Sequence, residues 1–356
     1  MQKKSSPTRT KAAQPEFAAA VVRWQKSHGR HGLPWQNTRD AYRIWLSEIM
    51  LQQTQVAAVI PYYERFLKRF PNLAALAAAH EDDVLALWSG LGYYSRARNL
   101  HRAARLISEE HGGVFPCDFD AVLALPGIGR STAAAVCVFA YGARHAILDG
   151  NVKRVFARCF GVAGYPGDTA VADALWSHAD QLVPAKNVEA YTQGLMDLGA
   201  GVCTRTKPRC DACPLSAQCV ALRQGAIAQY PSPRPRKVLP QRRTRMLVML
   251  HAGQVLLEKR PGSGIWGGLW SLPEASEKES IAACAARYGV TVAMQKALPE
   301  VAHGFTHFLL AIEPVRVTVK KPDLRAASPG VMWLSLEDAQ GAALPAPVRR
   351  ILSVLK

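Results

Sequence analysis

From Phe17 to Leu222 apolar residues recur every three or four positions with little alternation, the period of helices that bury one face. Pro61–Phe70, Arg96–Glu110, Asn151–Val162 and Val188–Leu198 each carry such a stripe, and Gly and Pro interrupt the runs between them. Ala221–Arg245 breaks the pattern. It holds four prolines and seven Arg or Lys with no acid, which reads as an extended basic connector. Beyond it, Met246–His251 and Val255–Lys259 flank a His-Ala-Gly-Gln turn and predict a β-hairpin. Phe308–Val317 and Val331–Leu334 predict further strands, and Glu279–Tyr288 a helix. The expected organisation is a disordered basic arm over 1–15, an all-α region over 16–222, a basic Pro-rich linker over 223–244 and a small α+β domain over 245–356.

Composition narrows the function. The 356 residues are 49% apolar, enough for two cores, and carry a net charge of +17. That excess calls for a polyanion, either nucleic acid or an anionic membrane surface. No apolar run nears membrane-spanning length; the longest, about Ala133–Ala143, is rich in small residues and reads as a buried helix. Met1–Pro15 has four basic residues, no acid and no following apolar segment, unlike a signal peptide. Cys117, Cys137, Cys159 and Cys284 are scattered among apolar residues, as reduced core thiols are. A reducing, cytoplasmic setting fits all of this.

Four other cysteines are not scattered. Cys203-x6-Cys210-x2-Cys213-x5-Cys219 confines four thiols to one loop. Zinc sites usually join two Cys-x2–4-Cys pairs across a spacer, and only one such pair exists here, so a 4Fe-4S cluster suits the spacing better. Disulfides would need an oxidising compartment. Arg205, Lys207 and Arg209 make the same loop cationic, as a phosphate-touching loop would be.

Leu125-Pro126-Gly127-Ile128-Gly129-Arg130-Ser131-Thr132 opens the small-residue helix. Gly127 and Gly129 allow a tight turn between helices and close approach of bare N–H groups to phosphate. A plain glycine turn is the alternative; Pro before it and a helix after it favour a helix-hairpin-helix clamp, which grips backbone and reads no sequence. In Ile147-Leu148-Asp149-Gly150-Asn151 the ordinary role of Asp149 is to cap the following helix. Beside a phosphate clamp it could instead face a deoxyribose. Glu48 has Ile44, Trp45, Leu51 and Gln52 one turn away; a carboxyl in such company is either paired by a buried donor or raised in pKa and ready to give a proton. Gln52 and Gln53 can bond base edges or wedge into the stack. Tyr93-Tyr94, between a glycine turn and a basic helix, would ordinarily be core; flanking glycines and arginines favour one ring reaching DNA.

Together with Leu33-Pro34-Trp35-Gln36, these segments resemble the MutY family of adenine DNA glycosylases, within the helix-hairpin-helix superfamily, over nearly the whole chain. The resemblance implies a mostly α region, a six-helix barrel plus a 4Fe-4S cluster domain held by Cys203, Cys210, Cys213 and Cys219, followed by an α+β Nudix-like domain. It implies a monomeric enzyme, active on duplex DNA and not at membranes, that removes adenine mispaired with 8-oxoguanine or guanine after flipping it out. Glu48 would protonate adenine at N7 and later activate water. Asp149 would stabilise the oxocarbenium-like sugar, by charge or transient covalent capture, with Asn151 helping to hold it. Gln53 and Tyr93 would enter the duplex beside the lesion. Relatives that also nick the strand carry Lys where this chain has Ser131, and a hydroxyl cannot form their Schiff base, so the implied enzyme is monofunctional. Gly267–Glu274 resembles a Nudix entrance, but Ile281–Arg287 lacks the Glu cluster that would bind magnesium, which argues against nucleotide hydrolysis. Phe305-Thr306-His307 matches the family's Phe-Ser-His lesion reader with Thr in place of Ser. Two other readings stand beside this one: a bifunctional glycosylase-lyase, which would want Lys at 131, and a non-enzymatic DNA-binding or redox-sensing protein, which gives no reason for a carboxyl among apolar groups.

Overall fold

A computed structural model describes residues 10–235, 238–276, 278–322 and 329–355. Helices α1 (Thr10–His28), α2 (Ala41–Leu51), α3 (Val56–Arg69), α4 (Leu73–Ala77), α5 (Glu81–Trp88), α6 (Ser95–Glu110), α7 (Phe119–Ala124), α8 (Arg130–Tyr141), α9 (Gly150–Phe160), α10 (Thr169–Leu182), α11 (Val188–Asp197) and α12 (Val220–Arg223) account for the helical pattern of the first two thirds. The chain forms two compact units, one of residues 1–64, 72–74 and 102–235, the other of 65–71, 75–101 and 236–356.

In the first unit, local chemistry fixes where helices start. Asp40 caps α2 by accepting from Tyr42 N and Arg43 N, and Asp118 caps α7 through Asp120 N and Ala121 N. Helix α8 ends at Gly142, whose left-handed backbone (φ 69°) returns its N–H to Val138 O. The core joins Phe17 and Val21 of α1 to Ala134 and Ala135 of α8, Val155 and Phe156 of α9, and Leu195 of α11. Close approach of α1 and α11 depends on Gly194: a Cβ there would lie 2.8 Å from Val21 Cγ1.

The second unit carries a mixed sheet: β1 (Gln241–His251), β2 (Gln254–Lys259), β3 (Trp270–Ser271), β4 (Glu274–Ala275), β5 (Val290–Ala297), β6 (Val301–Gly304), β7 (Leu309–Pro322) and β8 (Val331–Ser335), with the path β3-β2-β1-β7-β5. Helices α13 (Ile281–Ala286), α14 (Leu336–Gly341) and α15 (Ala346–Ser353) complete it. Strands β1 and β7 run parallel from Gln241↔Leu309; β1 and β2 form the expected hairpin, closed by Ala252 and Gly253, both at positive φ. Leu247, Met249, Leu256 and Val317 bury one face of the sheet with Cys284 and Ala285 of α13.

Three boundaries differ from the sequence reading. Residues 10–15, assigned to a disordered arm, form the first turns of α1, where Lys11, Ala12, Ala13 and Gln14 all favour helix; residues 1–9 of that arm lie outside the described residues. Strand β1 begins at Gln241, inside the stretch expected as linker, because its backbone pairs with β7. Residues 75–101 belong to the same compact unit as the C-terminal sheet domain.

Candidate active site

Glu48 lies on α2 between buried Ile44, Trp45, Ile49 and Met50. It lines a cavity of about 620 Å3 with Gln25, Arg30, Ser47 and Leu51. An edge of the side chain remains accessible, yet the surrounding protein is dense. Burial first, and then the negative charge of Asp149, push its carboxyl up to about 7. Asp149 does not line the same cavity; the two acids are linked through their fields.

Asp149 has the capping role its position predicts. Its Oδ1 accepts from Val152 N at 2.8 Å, so it starts α9. Burial raises its pKa, while hydrogen bonds from the Val152 and Asn151 backbone, the Arg154 charge and the Asn151 side chain pull it down. Burial is the larger influence, so the carboxyl stays raised, and these groups offset part of that rise. Asn151 Nδ2 donates to Asp149 Oδ2 at 3.3 Å, and Arg154 Nη2 donates to Asn151 Oδ1 at 2.9 Å. Arg154 also reaches Cys203 O at 2.7 Å and Gly199 O at 2.5 Å. A chain of hydrogen bonds therefore runs from the cysteine loop to Asp149. Gly199 makes it possible, since a Cβ there would stand 2.5 Å from Asn151 Cβ. Arg154 has no motif of its own, and sequence reasoning passed it over; an Arg one turn into the helix that Asp149 caps was the available signal.

The hairpin leads into α8, which is tied to the end of α2 by Gln52 and Thr132 and to the segment before Asp149 by Ser131 and Leu148. Gly127 has φ 79°, Ile128 is buried as the anchor, and Gly129 precedes α8 with no side chain capping the helix. The first N–H groups of α8 are thus left to an outside acceptor, as a phosphate clamp requires. Gln52 ends α2 and its Nε2 lies 3.4 Å from Thr132 Oγ1. Gln53 is exposed in the left-handed region (φ 57°), a strained conformation for a non-glycine residue and one common in functional loops. Ser131, expected at the DNA, has another duty: its Oγ accepts the Leu148 N–H at 3.0 Å, fixing the segment that leads into Asp149.

Cys203, Cys210, Cys213 and Cys219 line one small pocket with apolar Val155, Leu198 and Leu215, and none forms a disulfide. Arg158 Nη1 lies 3.3 Å from Cys203 Sγ. Cys159, read from sequence as an ordinary core thiol, borders the same pocket. Among the described residues no three Cys, His, Asp or Glu close around a single ion. Four free thiols facing one apolar pocket do fit the larger body of a cluster. Arg205 and Lys207 are exposed on the loop, and Arg205 borders a groove of about 540 Å3 with Lys153, Arg154, Arg158 and Arg234 and no acidic residue.

The remaining expected residues belong to the second unit. Tyr93 is 46% exposed with φ 51°. Phe305 N donates to Phe308 O at 2.9 Å, closing a turn that exposes Thr306 and His307. The Phe305 ring stacks on Phe308 at 4.4 Å and leans on Trp266 and His303.

Residues 46–181 match a family model described as HhH-GPD superfamily base excision DNA repair protein, and residues 245–354 match a NUDIX domain model. An adenine DNA glycosylase of Buchnera aphidicola (subsp. Acyrthosiphon pisum) is 36% identical over 96% of this chain and 97% of its own length. The human adenine DNA glycosylase is 31% identical over 95% of this chain and 73% of its own. Among solved structures, a thermostable thymine-DNA glycosylase superposes with a TM-score of 0.54 at 31% identity, covering 59% of this chain and 97% of that one. No helix among the described residues is long and apolar enough to cross a membrane.

Proposed function

Because this chain belongs to the helix-hairpin-helix base excision repair proteins, and within them to the adenine DNA glycosylases, we propose that Glu48 and Asp149 together hydrolyse the N-glycosidic bond of adenine paired with 8-oxoguanine or guanine in duplex DNA. The observation that carries this reading is the unequal surroundings of two buried acids: burial raises both, to about 7 for Glu48, which has no opposing group, whereas hydrogen bonds from Val152 and Asn151 and the Arg154 charge oppose the rise at Asp149 alone. Glu48 gives its proton to N7 of the flipped adenine. The C1′–N9 bond then breaks, its electron pair leaving with the base. Positive charge at C1′ faces the Asp149 carboxylate, which Asn151 steadies. A water oxygen bonds to C1′, its proton passes to Glu48, and adenine and an abasic sugar remain. Gln52, Gln53 and Tyr93 fill or brace the space beside the flipped base; Gly127 and Gly129 hold the backbone, and Arg205 and Lys207 add phosphate contacts. Phe305, Thr306 and His307 read the oxidised purine, and one monomer acts on one lesion. Single-turnover excision from duplexes differing only in the base opposite adenine tests this: adenine opposite 8-oxoguanine or guanine is released, adenine opposite thymine is not. Equal release from all three defeats the proposal.

A 4Fe-4S cluster suits the four-cysteine pocket, where Cys203, Cys210, Cys213 and Cys219 would hold it and the basic loop between them would be fixed in one shape. Arg154, through Cys203 O, passes that shape to Asn151. The isolated protein is expected to be coloured, and Cys213→Ser to lose that colour together with most DNA affinity; a colourless protein with full activity would remove the cluster from the reading. Ser131 supports hydrolysis without strand cleavage, since its Oγ is a hydroxyl already engaged by Leu148 N–H. Borohydride is expected to trap no enzyme–DNA adduct at this position, and an adduct mapped to residue 131 would reverse the assignment.

A further inference from the structure

Within the second unit, the loop that presents Tyr93 is rigid at its base. Trp88 Nε1 donates to Gly92 O at 3.1 Å, and buried Arg96 donates to Leu91 O and Gly92 O at 3.3 and 3.1 Å. The Arg96 guanidinium lies over the Trp88 ring and the Tyr93 ring at 5.4 and 5.5 Å. These contacts hold Tyr93 in its left-handed backbone conformation with the ring outward.

The residues flanking Tyr93 are tied to the other end of the sequence. Ser89 Oγ and Tyr94 OH both donate to Leu344 O, at 3.1 and 3.2 Å. Arg349 Nη2 donates to Ser89 Oγ at 2.8 Å and to Ala342 O at 3.1 Å, and Nη1 bonds Gln340 O. Residues 342–345 thus form a strap between α14 and α15, and the sheet holds its far side: Trp270 N donates to Ala343 O at 3.0 Å, and Leu344 is fully buried. Helix α15 continues the path. Arg350 Nη2 donates to Ala302 O at 3.2 Å in β6, the strand that runs directly into Phe305–His307. Two more ties fix α5 and α6 to the sheet domain: Lys259 Nζ meets Asp82 Oδ1 at 2.6 Å, and Arg98 bonds Gly267 O.

We propose that the 342–345 strap and Arg349 couple the Tyr93 loop to the Phe305–His307 turn, so that Arg349 is a positioning residue through which the base seated at the turn sets where Tyr93 enters the duplex. The proposal rests on the reading of Tyr93 as the residue entering the stack and of Phe305–His307 as the lesion reader. Arg349 touches neither DNA nor reacting atoms in this scheme. It acts by keeping two loops, far apart in sequence, in one register. Removing it leaves Ser89 and the Ala342 and Gln340 carbonyls without their shared donor, and each loop then adopts its own position.

The test uses the full chain and single-turnover excision from two duplexes, adenine opposite 8-oxoguanine and adenine opposite guanine. Arg349→Leu is expected to lower the ratio of the two rates about tenfold, mainly by slowing the 8-oxoguanine duplex, while Arg349→Lys, which keeps a donor for Ser89 Oγ, restores most of it. Adding Phe305→Ala to Arg349→Leu is expected to lower the ratio no further than either change alone. If Arg349→Leu does not fold, Ser89→Ala with Tyr94→Phe removes the two hydroxyls that bond Leu344 O, and with them the acceptors of Arg349 Nη2 and Gly90 N–H, and is expected to give the same loss. A wild-type ratio in the folded variants, or losses that multiply in the double variant, overturns the coupling. A wild-type enzyme that fails to distinguish the two duplexes overturns the lesion-reader reading itself, and the coupling with it.

Discussion

Glu48→Gln is expected to abolish base release, the single-turnover rate falling by about 10³-fold, with duplex affinity unchanged within about twofold. The amide keeps the shape of the side chain and its place beside Ile44 and Trp45, but it has no proton to give. The pH profile gives the same group a second signature. With its carboxyl pushed up to about 7, Glu48 is protonated below that pH and ionised above it, so excision falls off on the alkaline side of about pH 7. Stability moves with it. The folded-state pKa lies above the ordinary value of 4.5, so the folded chain holds a proton that the unfolded chain has already lost over this window. The stability associated with that proton is full below about pH 4.5 and is lost as pH rises to about 7. Gln carries no charge at any pH. The variant should therefore gain on the wild type between those values, by up to about 3 kcal/mol at neutral pH, and melting curves at pH 5 and 8 would show it. A variant that excises adenine normally, or a rate that rises through pH 7, ends the assignment.

Asp149→Asn is the second large effect, and it separates two duties of one side chain. Asn caps helices as well as Asp does, so the bond to Val152 N at the start of α9 survives and the melting temperature should change little. What disappears is the anion. The sugar loses the charge that faces it, and excision should fall by about 10²- to 10³-fold. Glu48 also loses a neighbour that raises its pKa, so the residual activity should show its alkaline limb at lower pH than the wild type does. If Asn at 149 leaves the rate intact, capping is the whole role of this position.

Much of the site was legible in the chain because its signals are local. A carboxyl flanked by Ile44 and Trp45 contradicts the pattern of its own helix, and four thiols in one loop need a common partner. Both facts survive without coordinates. What could not be read depends on partners distant in sequence. Ser131 stands in the clamp motif, and nothing in that motif tells that its hydroxyl accepts from Leu148 seventeen residues on. Arg154 looked like one more cation in a basic protein, yet it spans Cys203, Gly199 and Asn151. The helical period of residues 75–101 showed that they form helices and gave no sign that they fold with the sheet domain, because the ties of Ser89 and Tyr94 lie some 250 positions away.

The Ser131–Leu148 bond also bears on how such enzymes diversify. Installing an amine at 131 would be the obvious step toward an enzyme that cuts the strand after removing the base. Here that exchange would strip the Leu148 amide of its acceptor and loosen the approach to the very carboxylate the chemistry needs. Any such exchange therefore has to supply the Leu148 amide with a new acceptor as well as the amine.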